Sequence, residues 1–132
     1  MIVTGDIYKI LYEKVQDFGI KDIYDGWNGI KSGLSGEAVV IVTPTAITPD
    51  TYWEEATAHI NICVPDYLGK AGTVRLTELE RLADIWVHGG FVGLYDDSVY
   101  RIRKSSLGKE RDEALRCGYV NLVLDFEILN IL

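Results

Sequence analysis

Between Asp6 and Phe18 the apolar positions are Ile7, Ile10, Leu11, Val15 and Phe18. Spacings of three and four predict an amphipathic helix. Asp6 is placed to cap its start by accepting a free backbone N–H, and Gly19 falls just past its end. The stretch "IKDIYDGWNGIKSGLSGE" carries four glycines between Gly26 and Gly36 and predicts a short extended piece followed by a loop. "EAVVIVTP" (Glu37 to Pro44) is β-branched and almost wholly apolar, the pattern of a central strand covered on its faces. From Thr51 to Val64 the pattern alternates: Ala56, Ala58, Ile60, Ile62 and Val64 on one side, Thr57, His59, Asn61 and Cys63 on the other. That is a half-buried strand, antiparallel to the one before it.

A second helical period follows. "TVRLTELERLADIWVH" puts Leu76, Leu79, Leu82, Ala83 and Trp86 on one stripe, with Thr73 as cap and Glu78 and Glu80 in the early turns. Gly89 is suited to end it. "FVGLYDDSVYRIRKS" predicts a hairpin turning at Asp96-Asp97-Ser98, and "SLGKERDEA" an exposed, charged loop. Leu115 to Leu129 predicts a long strand with Val120, Leu122, Leu124, Phe126 and Ile128 on one face, and Tyr119, Asn121, Val123, Asp125 and Glu127 opposite. The order of elements predicts a single α+β domain over 1–132: an antiparallel sheet of five to six strands with two helices packed on one face.

Composition narrows the classes. At 132 residues, 48% hydrophobic and 25% charged, the chain can bury one core and is not a disordered segment. No apolar run approaches the ~18 residues needed to span a bilayer, and "MIVTGDIYKILYEK" lacks a signal-peptide pattern, so the expectation is a cytoplasmic product with no membrane contact. A net charge of −7 argues against a groove that grips nucleic acid, which needs clustered Lys and Arg. Cys63 and Cys117 are far apart and form no CxxC pattern; they are expected to be two small thiols of the core or surface.

The stretch "EATAHINICVPD" raises the one chemical question, because His59, Asn61 and Cys63 are the residue types of a hydrolytic site. On a strand His59 and Cys63 lie roughly 13–14 Å apart. A nucleophile and its base must come within about 3.2 Å, so they form no dyad within one strand. Neighbours roughly 7 Å apart are also poorly placed to share a zinc ion. No catalytic residue, metal or cofactor is therefore expected. Short polar side chains mixed with a thiol fit a partly dry protein contact or an ordinary solvent face; both readings stand. "GGFVG" follows a helix and opens a strand, the reverse of a phosphate-binding loop, and reads as a helix end and hairpin entrance. The adjacent acids Asp96–Asp97 and Glu54–Glu55 point to opposite sides of a strand or sit in a turn, unsuited to paired acid–base work.

Two other features concern partners. Arg101, Arg103, Lys104, Lys109 and Arg111 form a positive patch on an acidic protein, either a mobile docking loop or a solvated one balanced by Glu110, Asp112 and Glu113. Trp27 in its Gly-rich loop is either an exposed anchor or a pin holding the loop to the core.

Taken along the whole chain, "DIYKILYEKV", "AVVIVTP", "EEATAHINICVPD", "RLTELERLADIW" and "VNLVLDFEIL" follow one another in an order that resembles the tail terminator, or tail-completion, proteins of long-tailed bacteriophages and prophages. The resemblance lies in pattern and length; that family has no invariant catalytic signature. It implies a non-enzymatic subunit that assembles with copies of itself, commonly as a hexameric ring, on the end of the tail tube. The ring stops growth of the tail-tube protein and joins the tail to the head-connector protein, while DNA passes through as cargo. It implies assembly in the host cytoplasm and residence in the virion tail. Candidate subunit contacts are Thr57, His59, Asn61, Cys63, Asn121, Asp125 and Glu127, and six copies at −7 each bring about −42 of charge around the passing DNA. Two alternatives remain: another neck or head-closure adaptor, and a small enzyme or ligand-binding domain with a pocket near Trp27, His59 and Trp86.

Overall fold

The computed structural model describes residues 1–130. Helix α1 spans Thr4–Val15 and buries Ile7, Ile10, Leu11 and Val15, continuing as a 3-10 turn through Phe18 to Gly19 at φ 68°. Its capping differs from expectation. Asp6 sits inside the first turn, where its carboxylate accepts the Val3 N–H at 3.0 Å, so the cap is Val3 and lies three residues earlier than expected. A short strand β1 (Asp22–Asp25) precedes a 3-10 turn at Trp27–Gly29, and strands β2 (Ala38–Val42) and β3 (Glu54–Pro65) follow. Helix α2 spans Thr73–Val87, with Gly72, not Thr73, in the capping position. It buries Leu76, Leu79, Ala83 and Val87, while Leu82 of the expected stripe is 40% exposed. Strands β4 (Phe91–Tyr95), β5 (Ser98–Asp112) and β6 (Cys117–Leu129) follow.

The described residues form an α+β fold with a six-stranded sheet in the order β1-β2-β3-β6-β5-β4. All pairings are antiparallel except β1 on β2. The β3–β6 register sets Ile60 against Leu122 and His59 against Val123, which fixes two faces, named here by Ile60 and His59. Leu11 and Val15 of α1, Leu79 and Ala83 of α2, and Ile60, Leu122 and Phe126 of the Ile60 face belong to one buried cluster. Gly118 allows α2 its close approach: a Cβ there would lie 2.6 Å from Leu76 Cδ1. A second, smaller cluster forms on the His59 face. Ala38, Val40, Cys63 and Cys117 are buried there, packed by Trp27, Ile30 and Leu34 from the Gly-rich segment and by Tyr119. That segment is thus a lid over half of the His59 face, which explains why β2 is apolar on both sides.

The segment "SLGKERDEA" departs most from expectation. Ser106 to Asp112 continue β5 and pair with Val123 to Cys117, after a register shift between Lys104 and Ser106. An unpaired edge on the 13-residue β6 would leave a row of backbone groups without partners, and Leu107 joins the edge of the large core. A charged strand is stable here because each cation meets an acid. Lys104 reaches Asp84 of α2 at 2.8 Å, Lys109 donates to Thr77 at 2.9 Å with Glu80 at 3.8 Å, and Arg111 holds Asp66 at 2.5 and 2.8 Å.

Candidate interaction surface

The β3–β6 ladder brings the polar candidates together in rows. Thr57 lies opposite Asp125, His59 opposite Val123, Asn61 opposite Asn121 and Cys63 opposite Tyr119, all on the His59 face. His59 Nδ1 lies 3.2 Å from Asn121 Oδ1; with the Nδ1–H tautomer the imidazole donates and the amide oxygen accepts. Asn61 is 3% exposed, and its Oδ1 has no hydrogen-bond partner among the described residues. Cys63 and Cys117 are buried side by side beneath Trp27 and Tyr119. Burial, then mutual proximity, raises the Cys63 thiol far above its ordinary value, and burial also raises Cys117. A nucleophilic cysteine needs the opposite shift, so both stay protonated thiols that fill space. Tyr119 is pushed up to about 12 by burial and by donating to Glu110 at 2.8 Å.

Glu127 has a different environment from the one expected of a contact residue. It is 7% exposed and accepts from Arg101 Nη2 and Arg103 Nη2, each at 2.6 Å, and from Arg101 Nε at 3.2 Å. The hydrogen bond from Arg101 is the largest cause holding its carboxyl below the ordinary value; burial opposes it and Arg103 adds to it. Arg101 in turn lies over the Trp53 ring, 4.7 Å from its centroid. Glu127 is therefore the centre of a clamp and not a free acceptor. Asp125 and Thr57 remain exposed beside it and line, with Glu55 and Arg103, a shallow groove of about 150 Å³.

The expected basic loop does not exist as a unit. Alternation along β5 puts Arg101 and Arg103 on the His59 face and Lys104 on the Ile60 face, and the register shift after Lys104 turns Lys109 and Arg111 to the Ile60 face too, where α2 and Asp66 engage them. These five residues belong to a paired strand and not to the expected loop. Trp27 is half-buried, its ring 5.0 Å from Tyr119 in an edge-on contact. Trp86 packs on Phe18 and Phe91 in the other cluster. Trp27, His59 and Trp86 therefore line no common pocket, because the sheet separates Trp86 from the other two. Cys117 accompanies Cys63 and not His59. Among the described residues no three His, Cys, Asp or Glu side chains are placed to hold a metal ion.

A different surface is left uncovered. Val92 and Leu94 of β4 are 74% and 76% exposed, and they share the His59 face with Val99 and Arg101 of β5 and with Leu129 of β6. Trp53, under Arg101, adds an aromatic plane. Sequence reasoning passed over these residues. The signal was present in "FVGLY", where Val92 and Leu94 alternate with Phe91 and Tyr95, an apolar pattern on both sides of an edge strand. Compared with family models, with curated proteins and with solved structures, the chain matches none.

Proposed function

We propose that this chain is a non-enzymatic structural subunit of a phage or prophage tail, a terminator that caps the tail tube as a ring and joins it to the head connector. The observation that carries the reading is the exposed surface of Val92, Leu94 and Leu129, with half-buried Trp53 and Val99, around Arg101. Apolar side chains ringing an aromatic–arginine pair have the composition of the energetic centre of a protein contact. The polar candidates support it differently: His59 is bonded to Asn121, Glu127 to two arginines, and the thiols are buried, so each has a structural occupation. On this reading both helices lie on the Ile60 face and the His59 face meets other proteins. DNA passes without being bound, assembly takes place in the host cytoplasm, and the product resides in the virion tail.

The test is co-sedimentation with preassembled tubes of a phage tail-tube protein. The wild-type chain is expected to pellet with the tubes, and Trp53→Ala combined with Val99→Asp to stay in the supernatant while keeping its unfolding midpoint within a few degrees. Equal pelleting of both proteins would refute the assigned surface, and no pelleting of either would refute the tail reading.

A further inference from the structure

The edge strand β4 carries its own complement. The hairpin closes at Tyr95 and Ser98 around Asp96 and Asp97, at φ 47° and 63°, the left-handed pair of a two-residue turn. In such a hairpin the closing pair exchanges both hydrogen bonds and every second pair does so again. Tyr95, Gly93 and Phe91 therefore spend their backbone groups on β5, while the N–H and C=O of Val92 and Leu94 point outward from the end of the sheet. The edge has none of the usual protection: no proline, charge or bulge occurs from Phe91 to Tyr95. The opposite edge, β1, is bounded by Asp22 and Asp25.

We propose that two copies of this chain pair through β4, antiparallel about a two-fold axis at Gly93, extending one sheet across both molecules. This register sets Val92 against the partner copy's Leu94 and the reverse, so that all four outward groups of each copy are satisfied by the other. The two glycines meet as the close, non-hydrogen-bonded pair. Gly93 already faces the Tyr100 hydroxyl, 2.5 Å from where a Cβ would stand, so no side chain intrudes at the axis. Val92 and Leu94 of both copies then form one apolar strip on the His59 face. Charge favours the same register. The Asp96–Asp97 turn of each copy comes to the His88–Gly90 segment of the other. There a groove of about 280 Å³ carries Arg103 and Lys104; with Arg101 they face two carboxylates, Glu127 and Asp84, which leaves one positive charge in excess. In a chain of net charge −7 that otherwise repels its copies, β4 is an uncharged strip bracketed by opposite charges.

This inference goes beyond the ring and does not rest on it. A two-fold pair is not a ring, and it covers Val92 and Leu94, which the terminator reading assigns to other partners. It is the form of the chain away from the tube, and pairing and capping exclude one another.

The experiment is light scattering across a concentration series, with amide hydrogen exchange, on the wild-type chain and on the Leu94→Lys and Val92→Lys variants. Both side chains are exposed, so the variants leave the core intact. The wild-type mass is expected to be twice that of one 14.8 kDa chain, with slow exchange at the Val92 and Leu94 amides and a mass that falls with added salt. Both variants are expected to be monomers in which those amides exchange freely. A wild-type monomer throughout, or an oligomer whose mass ignores both substitutions, would overturn the pairing.

Discussion

Replacing Glu127 by glutamine keeps the shape of the side chain and removes the charge that two arginines share. Three charge-assisted hydrogen bonds converge on this carboxylate, which is 7% exposed. Breaking a fully buried pair costs about 3–5 kcal/mol. Arg101 and Arg103 are 35% and 59% exposed and regain water when the charge is lost, so the expected cost at neutral pH is lower, about 1–2 kcal/mol. For a domain of this size that is a drop of about 3–8 °C in Tm. The pH dependence separates the ion pair from packing. Folding lowers the Glu127 pKa from its ordinary 4.5, so the stabilisation is complete above that value and is lost as pH falls through the lower folded-state value. Urea unfolding of wild type and Glu127→Gln across this range is expected to show a gap at neutral pH that closes in acid. A gap that stays constant with pH, or no gap at neutral pH, would refute the clamp.

Other consequences follow from the lid and from the paired cations. Trp27→Ala removes the ring that pins the Gly-rich segment to Tyr119; a half-buried aromatic is worth about 1–3 kcal/mol here, and Cys63 and Cys117 are expected to react with a thiol reagent much faster than in the wild type. Equal thiol reactivity would show that the lid is held otherwise. Gly118→Ala brings a methyl to 2.6 Å from Leu76 Cδ1 and should cost about 1–3 kcal/mol in chemical denaturation, with partial recovery in the Gly118→Ala, Leu76→Val double variant. Lys104→Ala, whose partner Asp84 is exposed, should change stability by less than about 1 kcal/mol; a larger loss would mean that β5 depends on its ion pairs.

What the sequence made legible follows from the range of the forces involved. The periods of α1, β3 and β6 report which side of each element is buried, and Ile60, Leu122 and Phe126 lie where alternation put them. The two-residue turn at Asp96–Asp97 is similarly local. The register of β5 against β6 is not local. A stretch as charged as "GKERDEA" reads as solvated until α2 supplies Thr77 and Glu80 to Lys109 and the residue after β3, Asp66, meets Arg111. For the same reason Arg101, Arg103 and Glu127 looked like separate contact residues, though they form one clamp 24 to 26 residues apart. The half-burial of Cys63's face was also hidden, because the lid that covers it is a glycine-rich segment with no period of its own. Val92 and Leu94 were visible as letters; that their strand ends the sheet was not.

The proposed role is tested most directly by the length of tubes grown from a phage tail-tube protein, imaged with and without this chain at a low molar ratio. Short tubes carrying this chain at one end are expected, in about six copies if the ring closes as a cyclic assembly. Tubes of unchanged length, with the chain absent from their ends, would contradict it.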